Sequence, residues 1–94
     1  MNFIFYIVLF TSFAYAQTSG TCGDSCSWSY SGTTLTISGS GIMNDYSYSD
    51  RPWYDFKSSI TTVIIEEGIT TIGESAFFDC TSLTRIYVDL DNTN

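Results

Sequence analysis

Two stretches of this chain repeat each other at a separation of 23 residues. When residues 60–82 are aligned with residues 83–94, apolar positions match apolar positions and an acidic residue follows each apolar run. The matched pairs are Ile60 with Leu83, Thr61 with Thr84, Val63 with Ile86, Ile65 with Val88, and Glu66 with Asp89. A period of about 20–29 residues is typical of a solenoid, in which each unit buries its apolar face against the next. The spacing therefore predicts stacked repeats over residues 60–94, one complete and one partial.

Within each unit, alternation of apolar and polar residues predicts one strand with an inward face and an outward face. The segment that follows, GITTIGESAFFDC (residues 68–80), is expected to fold back across the arc, with Gly68 and Gly73 where the chain turns sharply. The core predicted from this pattern comprises Ile60, Val63, Ile65, Ile69, Ile72, Ala76, Phe77, Cys80, Leu83, Ile86 and Val88.

The sequence before the repeats contains two segments with a recognisable pattern. Residues 27–38 alternate apolar and polar side chains around Ser31-Gly32, which predicts a β-hairpin with one buried face. Further on, Trp53, Phe56 and Ile60 follow Pro52 at a helical spacing, and this predicts a short helical turn with an apolar stripe.

The first sixteen residues, MNFIFYIVLFTSFAYA, have an apolar run followed by small residues at Ala14 and Ala16, as a secretory signal peptide does. The run is shorter than the roughly 20 residues that span a bilayer. A secretory route permits disulfides. Cys22 and Cys26 are close enough to form a short bridge, which we favour, and Cys80 is then expected to be a buried apolar residue.

The repeat segment VIIEEGITTIGESAFFDCTSLTRIYV resembles the BspA-like, or treponemal-type, class of leucine-rich repeats. The matching positions are Ile69, Thr70, Ile72, Gly73, Ala76, Phe77, Cys80 and Leu83. The preceding text, CGDSCSWSYSGTTLTISGSGIMNDY and RPWYDFKSSITTVII, resembles the cap that comes before the first repeat in these proteins. Together the two matches cover about residues 21–94.

This resemblance implies a mainly β fold of the α/β solenoid class. Residues 1–16 would be the signal peptide, residues 17–59 an N-terminal β-hairpin cap with a short helical turn, and residues 60–94 the repeats. Members of the class are secreted or surface-displayed proteins described as surface antigens, some with adhesive roles. The resemblance therefore implies protein partners, including host cell-surface or matrix proteins, and no catalytic residues.

Composition excludes several other functions. The formal charge is −7, with three Lys and Arg against ten Asp and Glu, so binding to nucleic acid or to an anionic membrane surface is not expected. Because the chain has no His, His-based triads and His-ligated metals are excluded. We expect no cofactor and no metal, because Asp89, Asp91 and Asn92 lack the rest of a calcium-loop pattern. The sequence favours a non-catalytic protein.

The candidate binding surface is the outward face of the repeat strands. It comprises Thr62, Ile64 and Glu66 from the first repeat and Arg85, Tyr87 and Asp89 from the second. Solenoids commonly bind through such a face, and Tyr and Arg are enriched in binding hot spots. An ordinary solvated strand surface is the competing interpretation for each residue.

Two other functional interpretations stay open. The chain could be a partial repeat protein without a function of its own, because about three repeats are generally needed for a stable stack. It could also be a small secreted carbohydrate-binding module in which Tyr46 or Tyr48 stacks on a sugar. The oligomeric state does not follow from the sequence.

Overall fold

The computed structural model describes residues 17–89, so the predicted signal peptide and residues 90–94 of the partial repeat lie outside the described part. Between residues 17 and 89 the chain forms seven strands and one 3₁₀ turn. The strands are β1 (Ser19–Thr21), β2 (Cys26–Ser31), β3 (Thr34–Gly39), β4 (Gly41–Ile42), β5 (Thr62–Ile65), β6 (Ile69–Thr71) and β7 (Arg85–Val88). The described residues contain no α-helix, and the mainly β prediction is confirmed.

The predicted hairpin is present as antiparallel strands β2 and β3. Their connection is Gly32-Thr33, and Gly32 has a φ of 64°, a left-handed conformation that suits glycine in a tight hairpin turn. Trp28 pairs with Ile37 and faces the core, whereas Ser29 pairs with Thr36 on the opposite face. Strand β1 adds to the outer edge of β2 in antiparallel orientation.

The hairpin joins the repeats through parallel pairing. Strand β3 pairs with β5, and β5 pairs with β7, so one five-stranded sheet has the order β1-β2-β3-β5-β7. A second, two-stranded ladder pairs β4 with β6 in parallel. Each turn of the chain therefore contributes a strand to the large sheet, and the segment before the first repeat provides strands to both ladders.

Register shows that this segment is itself one turn of the solenoid. Leu35 pairs with Val63 and Val63 pairs with Ile86, so the first turn is 28 residues long and the next is 23. Three threonines mark the start of these turns. Thr61 donates its backbone N–H to Thr33 O at 2.9 Å, and Thr84 donates to Thr61 O at 2.9 Å. Because the first turn is 28 residues long, a search for a 23-residue period does not identify it as a turn of the solenoid.

The helical turn predicted after Pro52 forms as a 3₁₀ turn over Tyr54–Phe56. Backbone N–H groups of Phe56 and Lys57 donate to carbonyls three residues earlier, at 2.9 and 3.1 Å. The turn brings Trp53 into the core and places Phe56 against Tyr30, with ring centroids 4.2 Å apart. The expected apolar stripe is thus produced by tight turns and not by an α-helix.

The core is built around Trp53, which is fully buried. Its ring packs edge-on against Trp28 at 5.9 Å and against Tyr46 at 5.7 Å, and it lies 6.1 Å from Phe77. The indole Nε1–H donates to Ala76 O at 2.8 Å, which satisfies the polar atom inside an apolar environment. One side chain therefore ties the hairpin, the turn segment and the first repeat together.

The predicted core is correct for most of its members and wrong for three. Ile60, Val63, Ile65, Ile69, Ala76 and Cys80 are buried, and Phe77 and Leu83 are half-buried against the core. Ile72, Ile86 and Val88 are instead exposed, by 41%, 50% and 52%.

The reason lies in the order of the turns. Ile86 and Val88 occupy the last described strand, in register with buried Val63 and Ile65, but no residue between 17 and 89 packs on their other side. Ile72 directly follows β6, the edge strand of the two-stranded ladder, and no strand within residues 17–89 pairs with the other side of β6. Apolar spacing identifies the inward positions, and burial then requires a neighbouring turn.

None of the helical segments within residues 17–89 is long and apolar enough to cross a membrane. The division into residues 1–16, 17–59 and 60–94 stays a prediction. Its second boundary falls within one continuous sheet, between β3 and β5.

Candidate functional site

The outward face of the large sheet forms an ordered array of side chains. Parallel register aligns Thr34, Thr62 and Arg85 in one row across β3, β5 and β7. It aligns Thr36, Ile64 and Tyr87 in the next row. Because alternate residues of a strand point to opposite faces, these rows lie opposite the buried Leu35, Val63 and Ile65.

Four of the six predicted binding residues, Thr62, Ile64, Arg85 and Tyr87, lie in this register. Thr62 and Ile64 are half-buried, and Glu66, Arg85, Tyr87 and Asp89 are exposed. Glu66 and Asp89 directly follow β5 and β7, where their backbone N–H groups extend the ladder to Ile37 O at 2.9 Å and to Ile65 O at 3.0 Å. Their role in binding stays a prediction.

The array changes character across the sheet. On β1, β2 and β3 the outward positions carry only small hydroxyl side chains: Ser19, Thr21, Ser27, Ser29, Ser31, Thr34, Thr36 and Ser38. Larger side chains appear on β5 and β7. Arg85 and Tyr87 lie on one strand face, with Arg85 Nη1 3.4 Å from Tyr87 Oη. We refer to Ile64, Arg85 and Tyr87 as the strand-face cluster.

Cys22 and Cys26 form the disulfide that the sequence favoured, with their Cα atoms 4.9 Å apart. Both are buried, and the loop between them is tied to the rest of the chain by backbone hydrogen bonds. Asn44 N donates to Cys22 O at 2.7 Å, and Ser40 N donates to Ser25 O at 2.9 Å. The bridge therefore fixes a turn against the β3–β4 connection.

Cys80 is free and buried, as expected for a small apolar residue. Burial raises the pKa of its thiol, and this effect exceeds the opposing influence of the nearby Arg51 guanidinium. A thiol held in its neutral form is a poor nucleophile. Among the described residues, no group of three or more His, Cys, Asp and Glu side chains could hold a metal ion.

A second arrangement, which the sequence did not indicate, lies on the turns and not on the strands. Arg51 is only 2% exposed. Its Nη1 donates to Tyr48 O at 2.6 Å, its Nη2 donates to Phe78 O, and its Cζ lies 5.3 Å from the centre of the Tyr54 ring. Nε has no hydrogen-bond partner among the described residues. A buried guanidinium thus joins a loop of the first turn to a loop of the next.

The side chains of the two residues that Arg51 joins stack on each other at the surface. The rings of Tyr48 and Phe78 are 4.5 Å apart and nearly parallel, at 14°. Tyr48 is 67% exposed and Phe78 is 48% exposed. Next to them is a shallow cavity of about 340 Å³ lined by Asp45, Tyr46, Ser47, Tyr48, Glu74 and Ser75. We call the two rings the aromatic platform.

Tyr46 lines this cavity from the core side. Burial raises the pKa of its phenol, the hydrogen bond with the Asn44 side chain lowers it, and the charge of Asp50 raises it further. The phenol is therefore a neutral hydrogen-bonding group at physiological pH. The sequence indicated this region through Tyr46 and Tyr48, which were named as residues that could stack on a sugar. It did not indicate that Arg51 is buried or that Phe78 stacks on Tyr48.

The chain is similar to a solved leucine-rich repeat protein from Eubacterium ventriosum ATCC 27560, with 33% sequence identity and a TM-score of 0.71. The match covers 82% of this chain and 22% of the other, so the chain spans about a fifth of the length of that relative. The described residues therefore have a leucine-rich-repeat fold. No family profile and no curated protein sequence matches the chain.

Proposed function

We propose that this chain is a non-catalytic protein-binding module that engages its partner through the outward face of β3, β5 and β7. The observation that carries the proposal is the parallel register, which brings half-buried Ile64 and exposed Arg85 and Tyr87 together on one face of the sheet. Backbone pairing on both sides of β5 holds the surface rigid, so little conformational entropy is lost on binding.

The composition of the strand-face cluster supports a protein partner. Tyr and Arg contribute large contact areas and are the residue types most often found in hot spots. Ile64 lies beside Tyr87 and supplies an apolar centre, while the small hydroxyl side chains of β1 to β3 supply a polar rim. The likeness to a solved leucine-rich repeat protein agrees with this assignment, since repeat proteins commonly bind through an extended surface.

We further propose that the chain is a secreted or cell-surface adhesion protein of the BspA-like class. This proposal is supported by the signal-peptide pattern of residues 1–16 and by the I-G-x-x-A-F-x-x-C-x-x-L block. A buried disulfide fits a chain that folds in an oxidising compartment. On this proposal the partners are host cell-surface or extracellular-matrix proteins.

The test is a binding assay against purified collagen, laminin and fibronectin immobilised on a biosensor. We expect at least one of them to bind, and Tyr87→Ala and Arg85→Ala each to weaken that binding about tenfold, as loss of a hot-spot side chain does. Tyr48→Ala is the matched control, because Tyr48 is also an exposed tyrosine but lies on the turn side. If Tyr87→Ala and Tyr48→Ala bound equally well, the strand face would not be the contact surface.

A further inference from the structure

We propose that the aromatic platform and the cavity beside it form a binding site for a neutral carbohydrate, separate from the strand face. Tyr48 and Phe78 come from different turns of the chain, 30 positions apart, and only the tertiary fold brings them together. Large aromatic side chains exposed as a pair are unusual on a soluble surface and commonly mark a ligand site.

The platform is held in place by Arg51. Burying a guanidinium is costly unless its N–H groups are paired, and here Nη1 and Nη2 are paired with the carbonyl oxygens of Tyr48 and Phe78, while Nε has no partner among the described residues. The arginine therefore fixes the two backbones whose side chains stack at the surface.

The side chains of the platform and the cavity favour a neutral sugar as the ligand. A ring face carries partial negative charge and attracts the C–H groups on one side of a pyranose. The adjoining cavity offers carboxylates from Asp45 and Glu74 and hydroxyls from Tyr46, Ser47 and Ser75, which suit the many hydroxyl donors of a sugar. No cationic side chain lines the cavity, so sulfated and carboxylated glycans are disfavoured.

Part of the cavity is already organised for this role. Glu74 N–H donates to Asp45 Oδ1 at 2.8 Å, and Tyr46 N–H donates to Glu74 O at 2.9 Å. These bonds fix the two loops on either side of the cavity relative to each other. A pocket of about 340 Å³ is large enough for one or two sugar rings, with the remainder of an oligosaccharide extending over Tyr48 and Phe78.

The experiment is NMR titration of the full chain with cellopentaose, mannopentaose and chitopentaose, followed through the amides of residues 45–48 and 74–78. A heparin hexasaccharide and a proline decapeptide serve as acidic-glycan and peptide probes. We expect at least one neutral pentasaccharide to shift these amides, with about tenfold weaker binding in Tyr48→Ala and little change in Tyr48→Phe, which keeps the ring. Tyr87→Ala, on the strand face, should bind the sugar normally.

Three results would overturn the proposal. The first is that no neutral pentasaccharide shifts these amides at 5 mM, roughly the upper limit for a weak specific site. The second is that Tyr48→Ala, checked for folding by circular dichroism, binds the sugar as well as the parent chain does. The third is that only the proline decapeptide binds, which would make the platform a peptide site. Loss of sugar binding in Tyr48→Ala with matrix-protein binding intact would separate this site from the strand face.

Discussion

Replacement of Trp53 by phenylalanine tests whether the first turn and the first repeat share one core. Trp53 is fully buried, and its Nε1–H donates to Ala76 O at 2.8 Å across 23 positions of sequence. Trp28→Phe is the matched control, because Trp28 is also buried but its Nε1 makes no hydrogen bond within residues 17–89. Both changes remove the same atoms from the core.

The magnitudes follow from this difference. Losing the extra ring atoms costs roughly 2 kcal/mol of apolar burial in either variant. Trp53→Phe additionally leaves the Ala76 carbonyl without its donor, which costs about 1–3 kcal/mol more. For a chain of this size, each kcal/mol corresponds to a change in Tm of about 4–8 °C. Trp53→Phe should therefore melt at least about 4 °C below Trp28→Phe.

The assay is urea and thermal unfolding followed by far-UV circular dichroism, with the two single variants and the parent chain measured together. Each variant keeps one tryptophan, so fluorescence provides a second probe of the transition. If Trp53→Phe were no less stable than Trp28→Phe, the hydrogen bond to Ala76 and the shared core would be refuted.

Three further predictions concern the disulfide, the packing of the first repeat against the first turn, and the loss of stability at alkaline pH. Replacing Cys22 and Cys26 together by alanine should lower the unfolding free energy by about 2 kcal/mol, the loop entropy of so short a bridge, and an unchanged urea midpoint would contradict this. Gly73→Ala should lower the unfolding free energy by more than about 3 kcal/mol, because a Cβ there would collide with the Asn44 carbonyl. Gly32→Ala is the control: its Cβ would meet open space, so its φ of 64° should cost only about 1–2 kcal/mol. Comparable urea midpoints for the two variants would contradict the close packing of Gly73 on Asn44. Burial raises the pKa of Cys80 and Tyr46, so the unfolded chain loses these protons at lower pH than the folded chain does. The unfolding free energy should therefore fall as the pH rises above the ordinary pKa values of 9.0 and 10.0. The fall should be smaller in the double variant Cys80→Ala, Tyr46→Phe, and an equal fall in the variant and the parent chain would contradict this explanation.

The repeat strands could be predicted from the sequence, because alternation of apolar and polar residues shows which side chains of a strand point into the core. Val63 and Ile65 were placed in the core, and Thr62 and Ile64 on the opposite face, by alternation alone. The hairpin followed for the same reason, since Leu35 and Ile37 alternate with threonine and serine.

The remainder depends on pairings between distant residues, which no local pattern encodes. The parallel pairing of β3 with β5 was not predicted, because the two strands are 28 residues apart and a 23-residue period does not align them. Arg51 is buried only because Tyr48 and Phe78 present carbonyl oxygens to it. Ile86 and Val88 were assigned to the core by their spacing, but spacing does not say which turns have neighbours on both sides.

Both proposed sites require that the first turn and the repeat form one continuous ladder, and amide hydrogen exchange tests this most directly. The decisive amides are those of Glu66, which donates to Ile37 O at 2.9 Å, and Gly41, which donates to Gly68 O at 2.8 Å. We predict that they exchange as slowly as the hairpin amides of β2 and β3, because all of them open in the same unfolding event. Fast exchange at Glu66 and Gly41, beside a protected hairpin, would contradict the account.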